Sequence, residues 1–287
     1  MALYDINGNV VSGSSSTSDF GVTGYDLFVD NDGVSARQAV LTYQGKRLYP
    51  KNYPEQQIDK VKVYDGGVMI ALGDSFTTMM TTNYLTPFAA KHGLVLDAQG
   101  LSSSKIARPE GEGNDTIKSF VTRLDEDIAT YNATGGKTIN GKAYTADDVK
   151  LVTFMGGAND WTTIDTSKNI DRVGNAQSTD SGTIYGATDY CLSTILSTFK
   201  NADVIAILQP FADGYLRDLK EGIVREIAER YSIPVCDACF NFGYSQKNAT
   251  ELTKMWQSDK LHLTNDGWQE IINRLEHTLN NLDRYRS

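Results

Sequence analysis

Long apolar runs and an excess of basic residues are both missing from this 287-residue sequence. No window reaches roughly 18 consecutive apolar residues, which excludes a membrane-spanning helix. Lys and Arg number 27 against 36 Asp and Glu, and the net charge of −9 argues against a general nucleic-acid binder. Residues 1–5 lack the basic and apolar segments of a signal peptide. We therefore expect no membrane insertion, no nucleic-acid partner, and a cytoplasmic or virion-associated (phage) location.

Cysteine is scarce, with three residues in the chain. Cys236 and Cys239 form one C-x-x-C pair, and Cys191 is the third thiol. A zinc site of this kind is built from two such pairs, and the sequence contains no second pair. We interpret the pair as structural, on or just after a buried strand, and expect neither a metal nor an organic cofactor.

Histidine is equally scarce, so chemistry that needs an imidazole must use one of three residues. His92 precedes Gly93 at a predicted helix end, where an imidazole meets the negative end of the helix dipole. His277 lies on the last predicted helix, about 180° from Trp268 and the apolar stripe to which Trp268 belongs, which predicts a surface position. By elimination, His262 is the candidate for chemistry.

From about residue 61 onward, short apolar runs alternate with segments of helical periodicity. This alternation predicts βαβ units, and therefore a mostly parallel sheet with helices on both faces. In such a sheet the ligand binds beyond the carboxyl ends of the strands, where the strand order reverses. The predicted strands are Val68–Leu72, Leu94–Asp97, Val149–Met155, Val204–Gln209 and Ile233–Cys236. The predicted helices before the last one are Thr77–Lys91, Thr116–Tyr131, Ala187–Lys200 and Leu216–Tyr231.

The first 60 residues have a different pattern, with short β-prone pieces separated by Asp-Gly and Gln-Gly turns. We expect residues 1–60 to form a β-rich N-terminal arm or attachment segment that contacts an assembly partner. Residues 61–287 are expected to form the main α/β domain.

Two separated segments contain the residue types of a nucleophilic site. Gly73-Asp74-Ser75 ends the first predicted strand of the α/β region, which places Ser75 at a carboxyl strand end. Asp259 and His262 have a D-x-x-H spacing, and in a helical turn this spacing brings both side chains to one face. The carboxylate then holds one ring nitrogen, and the other accepts the hydroxyl proton, as in a Ser-His-Asp triad.

Two further strand ends add donors for a developing oxyanion. Asn159 follows the third predicted strand in the run Gly156-Gly157-Ala158-Asn159-Asp160, and its side-chain amide is a hydrogen-bond donor. Gly100 ends the second strand and offers a backbone N–H beside that of Ser75. Glycines after strands are also ordinary turn residues.

These blocks resemble the SGNH (GDSL-type) hydrolase family of esterases and acylhydrolases. The matching motifs, at roughly residues 61–282, are Gly73-Asp74-Ser75, the G-x-N-D block Gly157–Asp160, and the D-x-x-H block Asp259–His262. The second block departs from the family: Ala98 stands where the family has Asn, and Ser102-Ser103 replaces Ser-Gly.

The resemblance implies a fold and a mechanism. The implied fold is a three-layer α/β/α sandwich around a five-stranded parallel sheet, of the flavodoxin-like type. The implied catalytic residues are Ser75 as nucleophile, His262 as general base and Asp259 as its orienting carboxylate. The implied oxyanion hole consists of the N–H groups of Ser75 and Gly100 and the amide of Asn159, without metal or cofactor.

The segment 162–185 is rich in Thr, Ser, Asp, Asn and Gly, and a loop of this length beside Asn159 is either disordered or part of the substrate rim. Its polarity favours a small-molecule or polysaccharide ester, above all a carbohydrate O-acetyl ester, with Trp161 as a sugar-stacking face or as a packing residue. The alternatives are a lipid or thioester acylhydrolase, an acyltransferase with the same triad, and a carbohydrate-binding structural protein (phage tail or surface) on an esterase fold.

Overall fold

The computed structural model describes residues 20–29, 35–43, 46–47, 61–110, 112, 117–165, 170–210, 214–238, 255–259 and 261–282. For 20–29, 35–43, 46–47, 161–165, 170–171 and 214–220 the description covers the backbone alone. The chain divides into two compact units, Met1–Lys60 and Val61–Ser287. In the first unit, β1 (Phe20–Val29), β2 (Ser35–Tyr43) and β3 (Lys46–Arg47) form an antiparallel sheet. The attachment role of this unit stays a prediction.

The second unit alternates strands and helices. Its strands are β4 (Val68–Gly73), β5 (Val95–Gly100), β6 (Lys137–Ile139), β7 (Lys142–Tyr144), β8 (Val149–Met155), β9 (Ile164–Asp165), β10 (Ile170–Asp171), β11 (Asp203–Leu208) and β12 (Val235–Asp237). Its α-helices are α1 (Ser75–Met80), α2 (Thr86–Lys91), α3 (Phe120–Asn132), α4 (Ile184–Thr198), α5 (Gly214–Arg230) and, last in the chain, α6 (Asn265–Asn280).

Five of these strands form one parallel sheet in the order β12-β11-β8-β4-β5. The chain runs from β4 outward to β5 and then returns to β8 on the other side of β4. The strand order therefore reverses between β4 and β8, and the carboxyl ends of these two strands mark the expected ligand position. The predicted five-stranded parallel sheet is confirmed.

The central strands are apolar on both faces because both faces are covered. In β4, Val68, Ile70 and Leu72 belong to one buried cluster, whereas Met69 and Ala71 belong to another. The first cluster includes side chains of α3, α4 and α5, and the second includes side chains of α1, α2 and α6. The period-two alternation along each strand thus supplies both cores, and the result is the expected three-layer α/β/α sandwich.

The last helix, α6, has the orientation that its sequence predicts. Its apolar stripe is buried, while His277 on the opposite face is exposed. The buried stripe consists of Trp268, Ile271, Ile272, Leu275, Leu279 and Leu282.

His92 ends α2 as expected, and Gly93 follows with a φ of +74°. His92 is also fully buried, with Nδ1 bonded to the carbonyl of Lys62.

The single helix predicted at 77–91 is interrupted. A π-helical turn, Thr81–Leu85, separates α1 from α2, and Pro87 follows in the first turn of α2. Proline lacks the N–H that an unbroken α-helix would use there, which accounts for the changed hydrogen-bond register.

Two short hairpins, β6–β7 and β9–β10, were not predicted from the sequence. Within the part of the chain that the structure describes, no helix combines the length and apolar character needed to cross a membrane.

A buried ion cluster fixes the β6–β7 hairpin and α3 to the edge strand β5. The ammonium of Lys137 lies 2.6 Å from Asp97 Oδ2 and also bonds Asp127 Oδ1. The hydroxyl of Tyr131 donates to the same Asp97 oxygen at 2.8 Å. Burial first, and then the charge of Asp97, raises the pKa of Asp127 to about 6. The two carboxylates therefore depend on the Lys137 cation for their tolerance of burial.

We expect Lys137→Met to lower the free energy of unfolding by about 3–5 kcal/mol at pH 8, because it leaves two buried carboxylates without their cation. Because the pKa of Asp127 is raised on folding, its carboxyl adds to the free energy of unfolding when it is protonated. This contribution is complete below about pH 4 and is lost as pH rises through about 6. The deficit should therefore shrink at pH 4–5. Urea unfolding at both pH values measures it, with Lys142→Met on β7, an exposed lysine, as the control. Equal stability losses for the two variants would contradict this account.

Candidate active site

Ser75 is the first residue of α1, directly beyond the carboxyl end of β4. Asp74 caps this helix, since its Oδ1 accepts the backbone N–H of Phe76 at 3.0 Å. Gly73 lies where β4 turns into the helix, and a Cβ there would be 1.8 Å from Thr77 Oγ1. The Gly-Asp-Ser order thus combines a close approach, a cap and a hydroxyl presented at the sheet edge.

His262 and Asp259 lie on a short turn before α6. The backbone N–H groups of Leu261 and His262 both donate to Asp259 Oδ1, at 2.9 and 3.0 Å. Where the structure describes this segment, it is a turn followed by a bridge between Leu263 and Trp256. The expected helical turn is therefore wrong: the aspartate's own hydrogen bonds to the backbone bring the two side chains together.

The structure brings the three predicted triad side chains together. Ser75 Oγ lies 3.1 Å from His262 Nε2, and His262 Nδ1 lies 2.7 Å from Asp259 Oδ2. Because the carboxylate is only an acceptor, Nδ1 carries the proton, and Nε2 is left to accept the proton of Ser75. The hydrogen bonds to Asp259, that of His262 foremost, lower its pKa to about 2.

Packing holds the imidazole of His262 beside Ser75. The ring of Phe76 lies 5.7 Å from that of His262 and meets Trp268 edge-on at 5.3 Å. Leu263, which follows His262, is fully buried. The apolar face of α6 therefore anchors the turn that carries the histidine, so that the ring orientation is set by the core as well as by Asp259.

Asn159 lies in a 3₁₀ helix, Ala158–Thr163, beyond the carboxyl end of β8. Its Nδ2 donates to the carbonyl of Ser104 at 3.0 Å, which fixes the amide and leaves the second N–H of Nδ2 for another acceptor. The neighbouring Asp160 is fully buried and accepts the N–H groups of Ile106 and Ala107 at 2.9 and 3.0 Å. The Asn-Asp pair thus fastens the loop after β5 to the end of β8.

Gly100 ends β5 in register with Gly73, and the following N–H, of Leu101, bonds the Gly73 carbonyl at 3.1 Å. A Cβ at Gly100 would lie 2.6 Å from the backbone nitrogen of Thr78, so the approach of α1 by itself accounts for the glycine. Its role as oxyanion donor stays a prediction. Ser103, in the turn that follows, has a φ of +64°.

Trp161 follows Asp160 in the 3₁₀ helix, but its side chain lies outside the described residues. Its predicted contact with substrate therefore stays a prediction. The polar segment 162–185 contains the β9–β10 hairpin and then enters α4 at Ile184. Residues 166–169 of this segment lie outside the described part of the chain.

One cysteine of the C-x-x-C pair lies on a buried strand, as predicted, and the structural role of the pair stays a prediction. Cys236 is fully buried on β12, and burial raises the pKa of its thiol to about 12. A thiol of this kind is protonated at neutral pH and is a poor nucleophile or metal ligand. Cys239 lies outside the described residues.

A buried arginine beneath the site was missed from the sequence. Arg123 on α3 donates to the Gly73 carbonyl at 2.9 Å and to Ser104 Oγ at 3.0 Å. Burial lowers its pKa to about 10, so the guanidinium remains charged at neutral pH. The signal available in the sequence was a charged residue between Phe120 and Leu124 on the apolar face of a helix.

An open cavity of about 350 Å³ is lined by residues 108–110, Arg172 and residues 180–182. Arg108, which lines it, is four residues after Ser104 and donates its N–H to the Ser181 carbonyl at 2.8 Å. Arg172 also lines the cavity and pairs with Glu110, another lining residue. Four of the seven lining residues, Arg108, Glu110, Arg172 and Asp180, therefore have charged side chains.

No protein-family model matches the chain, and no curated protein matches its sequence. Solved structures do match: a Lactobacillus plantarum protein aligns over 75% of this chain and 97% of its own, at 17% identity and a TM-score of 0.54. LAE5, an α/β hydrolase enzyme from the metagenome of Lake Arreo, Spain, aligns over 76% and 97%, at 17% identity and a TM-score of 0.51. A putative GDSL-like lipase from Bacteroides ovatus aligns over 76% and 100%, at 14% identity and a TM-score of 0.47. The first two similarities show a shared fold, and the fold expected from the resemblance is confirmed.

Proposed function

We propose that this protein is a serine ester hydrolase of the SGNH type, with Ser75 as nucleophile, His262 as general base and Asp259 as the orienting carboxylate. The observation that carries the proposal is the continuous chain of hydrogen bonds from Ser75 Oγ through the imidazole to Asp259 Oδ2, at 3.1 and 2.7 Å. This chain lies at the reversal of strand order, where a sheet of this type binds its ligand.

The reaction proceeds through an acyl-enzyme. Ser75 Oγ attacks the ester carbonyl carbon while its proton passes to His262 Nε2, and the carbonyl oxygen becomes an oxyanion. Collapse of this intermediate breaks the ester bond, and His262 gives its proton to the leaving alkoxide. Water then attacks the acyl-enzyme with His262 again as base, which releases the acid and restores Ser75.

The oxyanion is stabilised by donors that are fixed before substrate arrives. Asn159 is held by its bond to Ser104, and the N–H groups of Ser75 and Gly100 complete the proposed hole. The Arg123 cation bonds the Gly73 carbonyl behind these groups and adds a favourable field for negative charge. One such preorganised donor contributes about 2.7–4 kcal/mol to transition-state stabilisation in acyl transfer.

The favoured substrates are short-chain esters, most of all O-acetyl groups on carbohydrate. Support comes from the cavity beyond Ser104, whose guanidinium and carboxylate groups (Arg108, Glu110, Arg172 and Asp180) suit a hydroxyl-rich alcohol. Hydroxyls pair with such groups, whereas an alkyl chain would desolvate them without compensation. Trp161 is the proposed stacking face for the sugar ring.

A panel of p-nitrophenyl esters and an acetylated polysaccharide tests this function in the full chain. We expect kcat/KM to fall at least about tenfold from acetate to octanoate, because an alkyl chain in the cavity would desolvate its charged side chains without compensation. We also expect acetate release from the polysaccharide. A fluorophosphonate should label the protein at Ser75, as located by peptide mass.

The other outcomes of the panel assign the alternatives. Faster turnover of octanoate or of an acyl thioester would identify a lipid or thioester acylhydrolase. Ester consumption only in the presence of an alcohol acceptor would identify an acyltransferase. A chain that binds the polysaccharide but neither turns over an ester nor takes the label would be a structural protein.

A further inference from the structure

Gln209 is a fully buried amide directly beyond the carboxyl end of β11. Its Nε2 donates to both carboxylate oxygens of Asp74, each at 2.9 Å. Its Oε1 accepts the backbone N–H of Ala158 at 2.8 Å. Its own N–H donates to Glu221 on α5 at 2.9 Å. The side-chain amide thus donates to one residue, Asp74 beyond the end of β4, and accepts from another, Ala158 beyond the end of β8.

The two residues that Gln209 holds are the immediate neighbours of two proposed catalytic groups. Asp74 precedes Ser75, and Ala158 precedes Asn159. The amide therefore spans the ends of β4 and β8 beneath the reacting centre, without a hydrogen bond to Ser75, His262 or Asn159 themselves. A shift of the amide would move the nucleophile relative to the oxyanion donor.

The chemical character of the amide matters because both of its contacts are buried. Burial raises the pKa of the Asp74 carboxyl to about 6, against the lowering effect of the Gln209 donor and the Phe76 N–H. Asp160 and Arg123 are the charged groups that act on this carboxyl, and Glu221 accepts the Gln209 backbone N–H. Only a side chain with a donor at one end and an acceptor at the other satisfies Asp74 and Ala158 together.

We propose that Gln209 is a positioning residue of the hydrolase, which sets the distance between Ser75 and the Asn159 amide by bonding Asp74 and the Ala158 N–H. This inference rests on the proposed function. If the wild-type chain hydrolyses no ester and is not labelled by a fluorophosphonate, the proposed function is refuted. Differences between the Gln209 variants and the wild type test the role of Gln209 alone.

The first test replaces the amide by an apolar side chain of similar size. We expect Gln209→Leu to lower kcat for p-nitrophenyl acetate about 10- to 100-fold with KM little changed, because small displacements of reacting groups cost up to about this much. Rates are expressed per fluorophosphonate-titrated site, so that an unfolded fraction does not contribute. The matched control is Asn281→Leu, which removes a buried amide at the far end of α6 and should leave kcat within twofold.

The second test is a pH profile of Gln209→Glu. A protonated carboxyl at this position can still donate to Asp74 and accept from Ala158, whereas an ionised one faces the Asp74 carboxylate. We expect the ratio of variant to wild-type kcat to fall at least about tenfold from pH 6 to pH 9, and to fall more steeply than the ratio for Gln209→Leu, which introduces no new charge. Circular dichroism at each pH monitors folding.

Three results would overturn the proposal. A kcat per titrated site within twofold of wild type in Gln209→Leu shows that the amide serves stability alone. A flat ratio for Gln209→Glu shows that the contact with Asp74 does not reach the reacting groups. Loss of folding in both variants assigns Gln209 to the stability of the fold.

Discussion

Ser75→Ala is expected to lower kcat for p-nitrophenyl acetate by roughly 10⁵- to 10⁶-fold, because the acyl-enzyme route requires the hydroxyl. The remaining hydrolysis would come from the oxyanion donors and from substrate binding. The fold should survive, since the change removes one hydrogen bond, to His262, at the sheet edge. We expect the free energy of unfolding to change by about 1 kcal/mol or less.

The measurement combines steady-state hydrolysis with thermal unfolding. Ser197→Ala on α4, an exposed serine, provides the same substitution away from the site and should leave kcat unchanged. The variant should also lose all fluorophosphonate labelling. Turnover within tenfold of wild type would remove Ser75 from the mechanism, and labelling of another serine would identify the nucleophile directly.

Asp259→Asn should produce the second largest loss, about 10³- to 10⁴-fold in kcat. The amide is nearly isosteric, but its NH₂ group cannot accept the proton of His262 Nδ1, which favours the wrong imidazole tautomer. The loss should appear in kcat with KM little changed, because Asp259 contacts the histidine and not the substrate.

The pH dependence of the wild-type protein separates Asp259 from the proposed general base. The pKa of Asp259 is lowered to about 2 by the hydrogen bond from His262 and by the N–H groups of Leu261 and His262. The carboxylate therefore stays ionised over an assay range of about pH 4–9, and its stabilising contribution is lost only as pH falls from about 4 through 2. Any loss of kcat above pH 4 belongs to another group.

Asp266→Asn provides the control for this prediction. Asp266 is an exposed carboxylate in the first turn of α6, near Asp259 in sequence but outside the triad. We expect its replacement to leave kcat and the pH–rate profile unchanged. An Asp259→Asn variant as active as Asp266→Asn would show that the turn of backbone hydrogen bonds, and not the carboxylate charge, orients the imidazole.

Much of the fold could be predicted because its central strands are buried on both faces. Continuous apolar runs such as Val149–Met155 indicate a buried strand directly, and the observed bounds of β8 match the prediction. The C-terminal helix could also be predicted, because its apolar stripe repeats at helical spacing. The helix predicted at 77–91 failed locally because a π turn and Pro87 satisfy the backbone in a different register.

The triad could be predicted because its residues occupy two short motifs, whereas its supporting contacts join distant parts of the chain. Gln209 and Asp74 are 135 residues apart, and Arg123 reaches the Gly73 carbonyl across 50. No local spacing marks such pairs, because a single buried polar residue on a strand end or helix face has many possible partners. The sequence predicted the three groups of the proposed triad, and the structure shows the contacts that hold them.

The separation of Ser75 from His262 has a consequence for how activity is acquired. The two residues that share the critical hydrogen bond are 187 positions apart, one beside the first strand of the parallel sheet and one before the last helix. During synthesis Ser75 emerges long before His262, and contacts this distant form late in folding. If the proposed function holds, hydrolysis should therefore begin only when α6 has docked, which makes the onset of turnover a kinetic marker for completion of the domain.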